Sequence, residues 1–130
     1  VSDIADFLRA RYAEQRALAL AASPGPWQAN DEHDEVIAVD GITVAEGFAL
    51  SGRQLRATVD HIAAHNPTAV IADLDAKLAI VDLMDRTLVA AEGDTEVDHY
   101  AGLSAAEETL CRLAQPFVEH PDHKGEEWAP

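Results

Sequence analysis

The stretch Glu35-Val36-Ile37-Ala38-Val39-Asp40-Gly41-Ile42-Thr43-Val44-Ala45 carries the strongest local signal in this 130-residue chain. Two β-prone runs, 36–39 and 42–45, are split by Asp40-Gly41, the dipeptide that suits a two-residue type I′ connection. In that register Val39 faces Ile42 and Ile37 faces Val44, which places apolar side chains on one face. An isolated hairpin is marginal in water, so this face requires helices to cover it.

Outward from the hairpin the pattern is helical. Upstream, Ile4, Phe7, Leu8 and Tyr12 recur at three- and four-residue spacing, with Leu18 on the same face. The spacing predicts a helix over 3–22, with Ser2 as its N-cap and Asp3 and Asp6 in the first turn. Ser23-Pro24-Gly25-Pro26 stops it, Trp27 anchors the incoming chain, and residues 28–34 read as an acidic loop. Downstream, Leu55, Val59 and Ile62 mark a helix over 53–65. Asn66-Pro67 then supplies a cap and a proline at the first helical position, which predicts a helix over 67–91. The apolar arc of this helix is wide: Val70, Leu74, Leu78, Val81 and Leu88, broadened by Ile71, Ile80, Leu83, Met84 and Val89. A face that wide suits a helix touched from several sides or by a second subunit. Gly93 to Glu96 reads as a loop. Ser104 and Glu107 match a capping box, from which a last helix is expected to start, and Pro116 is expected to end or kink it.

The expected architecture is α+β and mainly α: four helices packed on one two-stranded β-hairpin in a single domain. That domain covers 1–118 with the hairpin at 35–45, and 119–130 form a polar C-terminal tail in which Trp128 can fold back as an anchor.

Composition narrows the function. Lys and Arg total 9 against 24 Asp and Glu, a formal charge of −15. A chain with that balance has no basic face for phosphates, so direct nucleic-acid binding is excluded as an expectation, as is docking on anionic lipid. The lone cysteine, Cys111, forms no intrachain disulfide, and no basic start with an apolar stretch resembles a secretory signal. No apolar run is long enough to span a bilayer. These observations point to a cytoplasmic protein. Phosphate-binding glycine loops, the Gly-x-Ser-x-Gly elbow, EF-hand spacing and Cys-x-x-Cys pairs are all missing from the sequence. Cys111, on an apolar helix edge, reads as a small core residue. Paired carboxylates such as Asp82 and Asp85, or Glu107 and Glu108, read as solvated faces, since 24 acidic residues produce such pairs by chance.

One constellation has chemistry of its own. His61 and His65 are four apart on a helix, so both rings leave one face, where they can hold zinc or another divalent transition metal. Ile62 stands where a His-Glu-x-x-His protease has its glutamate. His120 is the candidate third ligand; Asp60, His99, Asp122 and His123 are further donors. The competing structural role is a helix C-terminus, with His65 favoured there by the helix dipole and His61 bonded to a loop carbonyl.

Three stretches also carry a resemblance. These are Ser23 to Trp27 followed by the Asp-Gly hairpin; His61 to Pro67 leading into 70–81; and Leu110 to Phe117 with His120-Pro121-Asp122 and Glu127-Trp128. Together, over nearly the whole chain, the sequence resembles a family of small uncharacterised proteins of actinobacteria and their phages, a domain of unknown function. The middle part more loosely resembles phage early-region accessory proteins. The resemblance implies a single domain, a helix–hairpin–helices order and a phage or mobile-element connection; it implies no activity, substrate or cofactor. The function expected from all of this is a non-enzymatic interaction or accessory protein, a homodimer through 67–91 with a protein partner, a basic protein being one candidate. The alternatives are a metal-binding protein or metal-dependent hydrolase using His61 and His65, and an acidic decoy or inhibitor of a basic partner.

Overall fold

A computed structural model describes residues 2–92 and 100–130. The expected loop at 93–96 and the candidate donor His99 lie outside the described residues. The elements are α1 (Asp3–Ala21), β1 (Gln28–Ala29), β2 (Glu35–Ile37), β3 (Thr43–Glu46), α2 (Gly52–Ala64), α3 (Pro67–Ala91) and α4 (Tyr100–Ala114), followed by 3₁₀ turns at Gln115–Phe117 and Gly125–Trp128. The chain is mainly helical, as expected, with a small antiparallel sheet. None of the described helices is long and apolar enough to cross a membrane. The chain divides into two compact units, one of Glu14–Asp75 and one of the residues up to Ala13 and from Ala76 onward. Both α1 and α3 contribute residues to each.

In the Glu14–Asp75 unit the sheet has three strands, ordered β1-β2-β3, rather than the two of a lone hairpin. The added strand, Gln28–Ala29, lies where a loop was expected; Ala29 pairs with Val36. Asn30 makes this possible. Its side-chain oxygen accepts the N–H groups of Asp34 and Glu35, each at 3.0 Å, and its own N–H donates to the Glu35 carbonyl at 3.0 Å. This asparagine-centred turn reverses the chain within a few residues. It leaves His33 at φ 54°, a left-handed conformation that histidine tolerates better than most residues.

The β2–β3 turn also differs from the type I′ reading. Ala38 N–H bonds to the Ile42 carbonyl at 2.9 Å, and Gly41 N–H bonds back to the Ala38 carbonyl at 2.9 Å. Gly41 is at φ 84° while Asp40 is not left-handed. The loop therefore has three residues, Val39 to Gly41, with glycine at the left-handed position. Asp40 locks it by accepting the Ile42 N–H at 3.1 Å. The pairs become Val36↔Ala45 and Ile37↔Thr43, with an irregularity between Val36 and Ile37. Val39 and Ile42 consequently stand in solvent at 61% exposure, and Val36 takes the fully buried place on the sheet.

Helix α2 covers that sheet. Val36, Val59 and Ala63 form the core, ringed by Trp27, Ala29, Val44, Ala45, Leu55 and Ile62. Gly47 lets strand and helix close: a Cβ there would come within 2.7 Å of both Val59 Cγ2 and Leu55 Cδ1. Trp27 has its expected anchoring role, with its indole N–H bonded to the Ser23 carbonyl at 2.9 Å. Ser51 caps α2 by accepting the Gln54 N–H. Asn66, itself buried, ties α2 to α3 within this unit. It accepts the Ala69 N–H at 3.2 Å and donates to the Ala63 carbonyl at 3.0 Å. We expect Asn66→Ala to destabilise the protein by about 1–2 kcal/mol, seen as a lower denaturation midpoint with an unchanged denaturant slope.

In the other unit, Ser2 Oγ accepts the Ala5 N–H, so Ser2 caps α1 as the sequence indicates. Leu8 of α1, Val81 of α3 and Leu110 of α4 are fully buried. Helix α4 starts at Tyr100, ahead of the expected Ser104, which makes the Ser104–Glu107 match internal to the helix. The apolar spacing Leu103, Ala106, Leu110 explains this, since it continues the helical stripe upstream of Ser104. The helix ends at Ala114, ahead of Pro116, as expected.

Candidate functional site

The residues with chemical potential fall into three groups. The first is the end of α2. His61 and His65 are brought together, with ring centroids 4.3 Å apart. His65 is the C-cap residue, and its Nδ1–H donates to the His61 carbonyl at 2.7 Å. A carbonyl only accepts, so this bond fixes the proton on Nδ1 and leaves Nε2 as the free lone pair of the neutral ring. Asp60, one residue before His61, is engaged by His33 Nδ1 at 2.6 Å. His120 belongs to the other compact unit. Among the described residues, no group of three or more His, Cys, Asp or Glu side chains is arranged to hold a metal ion.

The second group was read as a solvated carboxylate pair, and the structure corrects that reading. Asp85 is 7% exposed and Asp82 half-buried. Arg9 of α1 bonds to both, at 2.9 Å to Asp82 and 3.0 Å to Asp85, and also to Asp6 at 3.1 Å. Asp85 further accepts the Ser2 N–H at 3.0 Å. Burial alone pushes the Asp85 carboxyl up, but the Ser2 N–H and the Arg9 guanidinium outweigh it and hold it below the usual carboxylate range. Burial lowers the Arg9 pKa, and its aspartates carry it above the ordinary value. This is a structural clasp between α1 and α3 with no uncommitted acid or base. Glu107 and Glu108 are exposed, as expected, and Glu108 pairs with Arg112 at 2.7 Å. Cys111 is half-buried, and burial, then Glu107 and Glu108, raise its thiol pKa, which disfavours the nucleophilic thiolate.

The third group was legible from the sequence in part: Trp128 folds back as an anchor, as expected, while its assembly with Phe7 and Arg11 was not foreseen. Phe7 of α1 is surrounded by rings from the C-terminal segment: Phe117, His120, His123 and Trp128, at centroid distances of 6.1, 5.6, 5.7 and 5.1 Å. Arg11, one helical turn on, lies over the Phe7 ring at 5.0 Å and points Nη1 at the His120 imidazole, 2.7 Å from Nε2 and 2.9 Å from Nδ1. The polar tail therefore folds back, with Trp128 as its anchor at 7% exposure. The available signal was Phe7 and Arg11 at four-residue spacing on the buried face of α1, an arginine where the stripe calls for an apolar residue.

No curated protein and no solved structure shows significant similarity to this chain. A family model matches it from residue 1 to residue 130, and the chain belongs to that family, the family of unknown function DUF6221.

Proposed function

We propose that this protein is a non-enzymatic interaction factor of phage or mobile-element type, working in the cytoplasm through protein contacts and self-associating through α3. The observation that carries this reading is the set of large apolar side chains left in solvent on a chain of formal charge −15. Phe48 is 84% exposed and Leu50 fully so, two residues apart between β3 and α2; Ile80, Leu83 and Val89 are exposed along α3. Apolar side chains clustered on a surface mark contact sites more often than scattered ones do. The negative field would favour a basic partner and speed its encounter.

The test uses the native chain and a Phe48→Ser/Leu50→Ser variant as baits, with sedimentation of the native chain alongside a Leu83→Glu variant. The reading expects basic proteins retained by the native bait at low salt, released by about 0.5 M salt, and lost with the double variant. It also expects a native dimer that Leu83→Glu converts to monomer. Salt-insensitive or empty baits overturn the basic partner, and a native monomer at micromolar concentration overturns self-association.

A further inference from the structure

His61 and His65 leave the C-terminal end of α2, both exposed to solvent, with ring planes 40° apart and centroids 4.3 Å apart. The proton of His65 is already placed. Its Nδ1–H donates to the His61 carbonyl at 2.7 Å, so Nε2 carries the lone pair of the neutral ring. A ring that donates one N–H to a carbonyl and keeps its other nitrogen bare has the form of a metal ligand whose tautomer and orientation are set in advance. No hydrogen bond occupies the ring of His61 among the described residues.

The separation of the rings bears on which metal fits. A coordinating nitrogen lies about 2.0 Å from a late transition metal, which puts each ring centroid about 3.2 Å from it. Two rings at a right angle then stand about 4.5 Å apart, and two at a tetrahedral angle about 5.2 Å. The 4.3 Å found is close to the right-angled arrangement, that of copper(II) and nickel(II) in tetragonal centres. The surroundings favour a dication. The pair sits at the negative end of the α2 dipole, on a chain of formal charge −15. The neighbouring carboxylate of Asp60 is engaged by His33 Nδ1 at 2.6 Å, which leaves two ligands from the chain and the remaining positions to water.

We propose that His61 and His65 form a two-histidine chelate for copper(II) or nickel(II), copper binding first in affinity. This site is separate from the apolar surfaces assigned to partner contact.

The test titrates the full chain, free of any histidine tag, with copper(II), nickel(II) and zinc(II) chlorides by calorimetry at neutral pH, and records the electron paramagnetic resonance of the copper complex. The chelate predicts one equivalent of copper in a tetragonal signal coupled to two imidazole nitrogens, with affinity falling from copper to nickel to zinc. His61→Gln, at an exposed position bonded to no described group, should weaken copper binding about tenfold or more and leave the helical circular dichroism of the metal-free chain unchanged. In the unmodified chain, substoichiometric copper should broaden the ring protons of His61 and His65 before those of any other histidine. Copper held equally well by His61→Gln, coupling to one imidazole only, earlier broadening at His120 or His123, or zinc bound more tightly than copper and nickel would each overturn the chelate.

Discussion

Trp128→Ala is expected to destabilise the protein by about 3–5 kcal/mol, the largest effect of any single change considered, although the residue lies two positions before Pro130. Chain ends ordinarily fray unless tied down. Here the indole is buried against Phe7 and His123, both at 5.1 Å, and Lys124 covers its face. Removing it leaves Phe7 without its nearest ring and a void that the 3₁₀ turn at Gly125–Trp128 is poorly placed to fill. Urea denaturation at neutral pH measures the loss. Trp128→Phe should retain roughly half of the stability at stake, because burial of apolar area scales the effect. Equal stability of Trp128→Ala and the native chain would mean that the C-terminal segment contributes nothing to the fold.

The second large effect belongs to Asp85. Asp85→Ala strips Arg9 of one of its aspartates and leaves the Ser2 N–H without its acceptor. A broken charge-assisted network of this kind costs about 2–3 kcal/mol, toward the lower side of fully buried pairs because Arg9 is partly solvated. The pH dependence follows from the depressed carboxyl. The stabilisation from Asp85 is fully present above the ordinary carboxylate pKa and is lost as pH falls through the lower folded value. The stability gap between native chain and variant should therefore stay constant from neutrality to about pH 4 and narrow below it. A gap that closes nearer pH 6 would implicate a different group.

The elements differed in how far they could be read in advance. Asn66-Pro67 announced both the end of α2 and the start of α3, because a capping side chain and a proline act within three residues of themselves. The hairpin location was equally plain in its β-prone runs. Its register was not, since Asp-Gly serves both a two-residue loop and the last two places of a three-residue one. A slip of one residue exchanges the two faces of a strand, which is why Val36 rather than Ile37 is the buried residue. Strand β1, two residues long, is too short for any periodicity; only Asn30 marked it. Of the candidate ligands, the pairing of His61 with His65 was legible from helical spacing. His65 is tied to the helix end by the direction of its Nδ1–H, and His120 lies beside Arg11 and Phe7. Asp85 was hidden among 24 acidic residues, because its burial depends on an arginine 76 positions away.

The sharing of α1 and α3 between the two compact units has a practical meaning for anyone dissecting this molecule. The polypeptide enters the Glu14–Asp75 portion partway along one helix and leaves it partway along another. Scissors applied at either boundary sever an unbroken ladder of backbone hydrogen bonds and expose new orphan donors and acceptors. Neither portion is a cassette to be transplanted or expressed alone, and shuffling of this family by recombination should favour exchange of whole chains over halves.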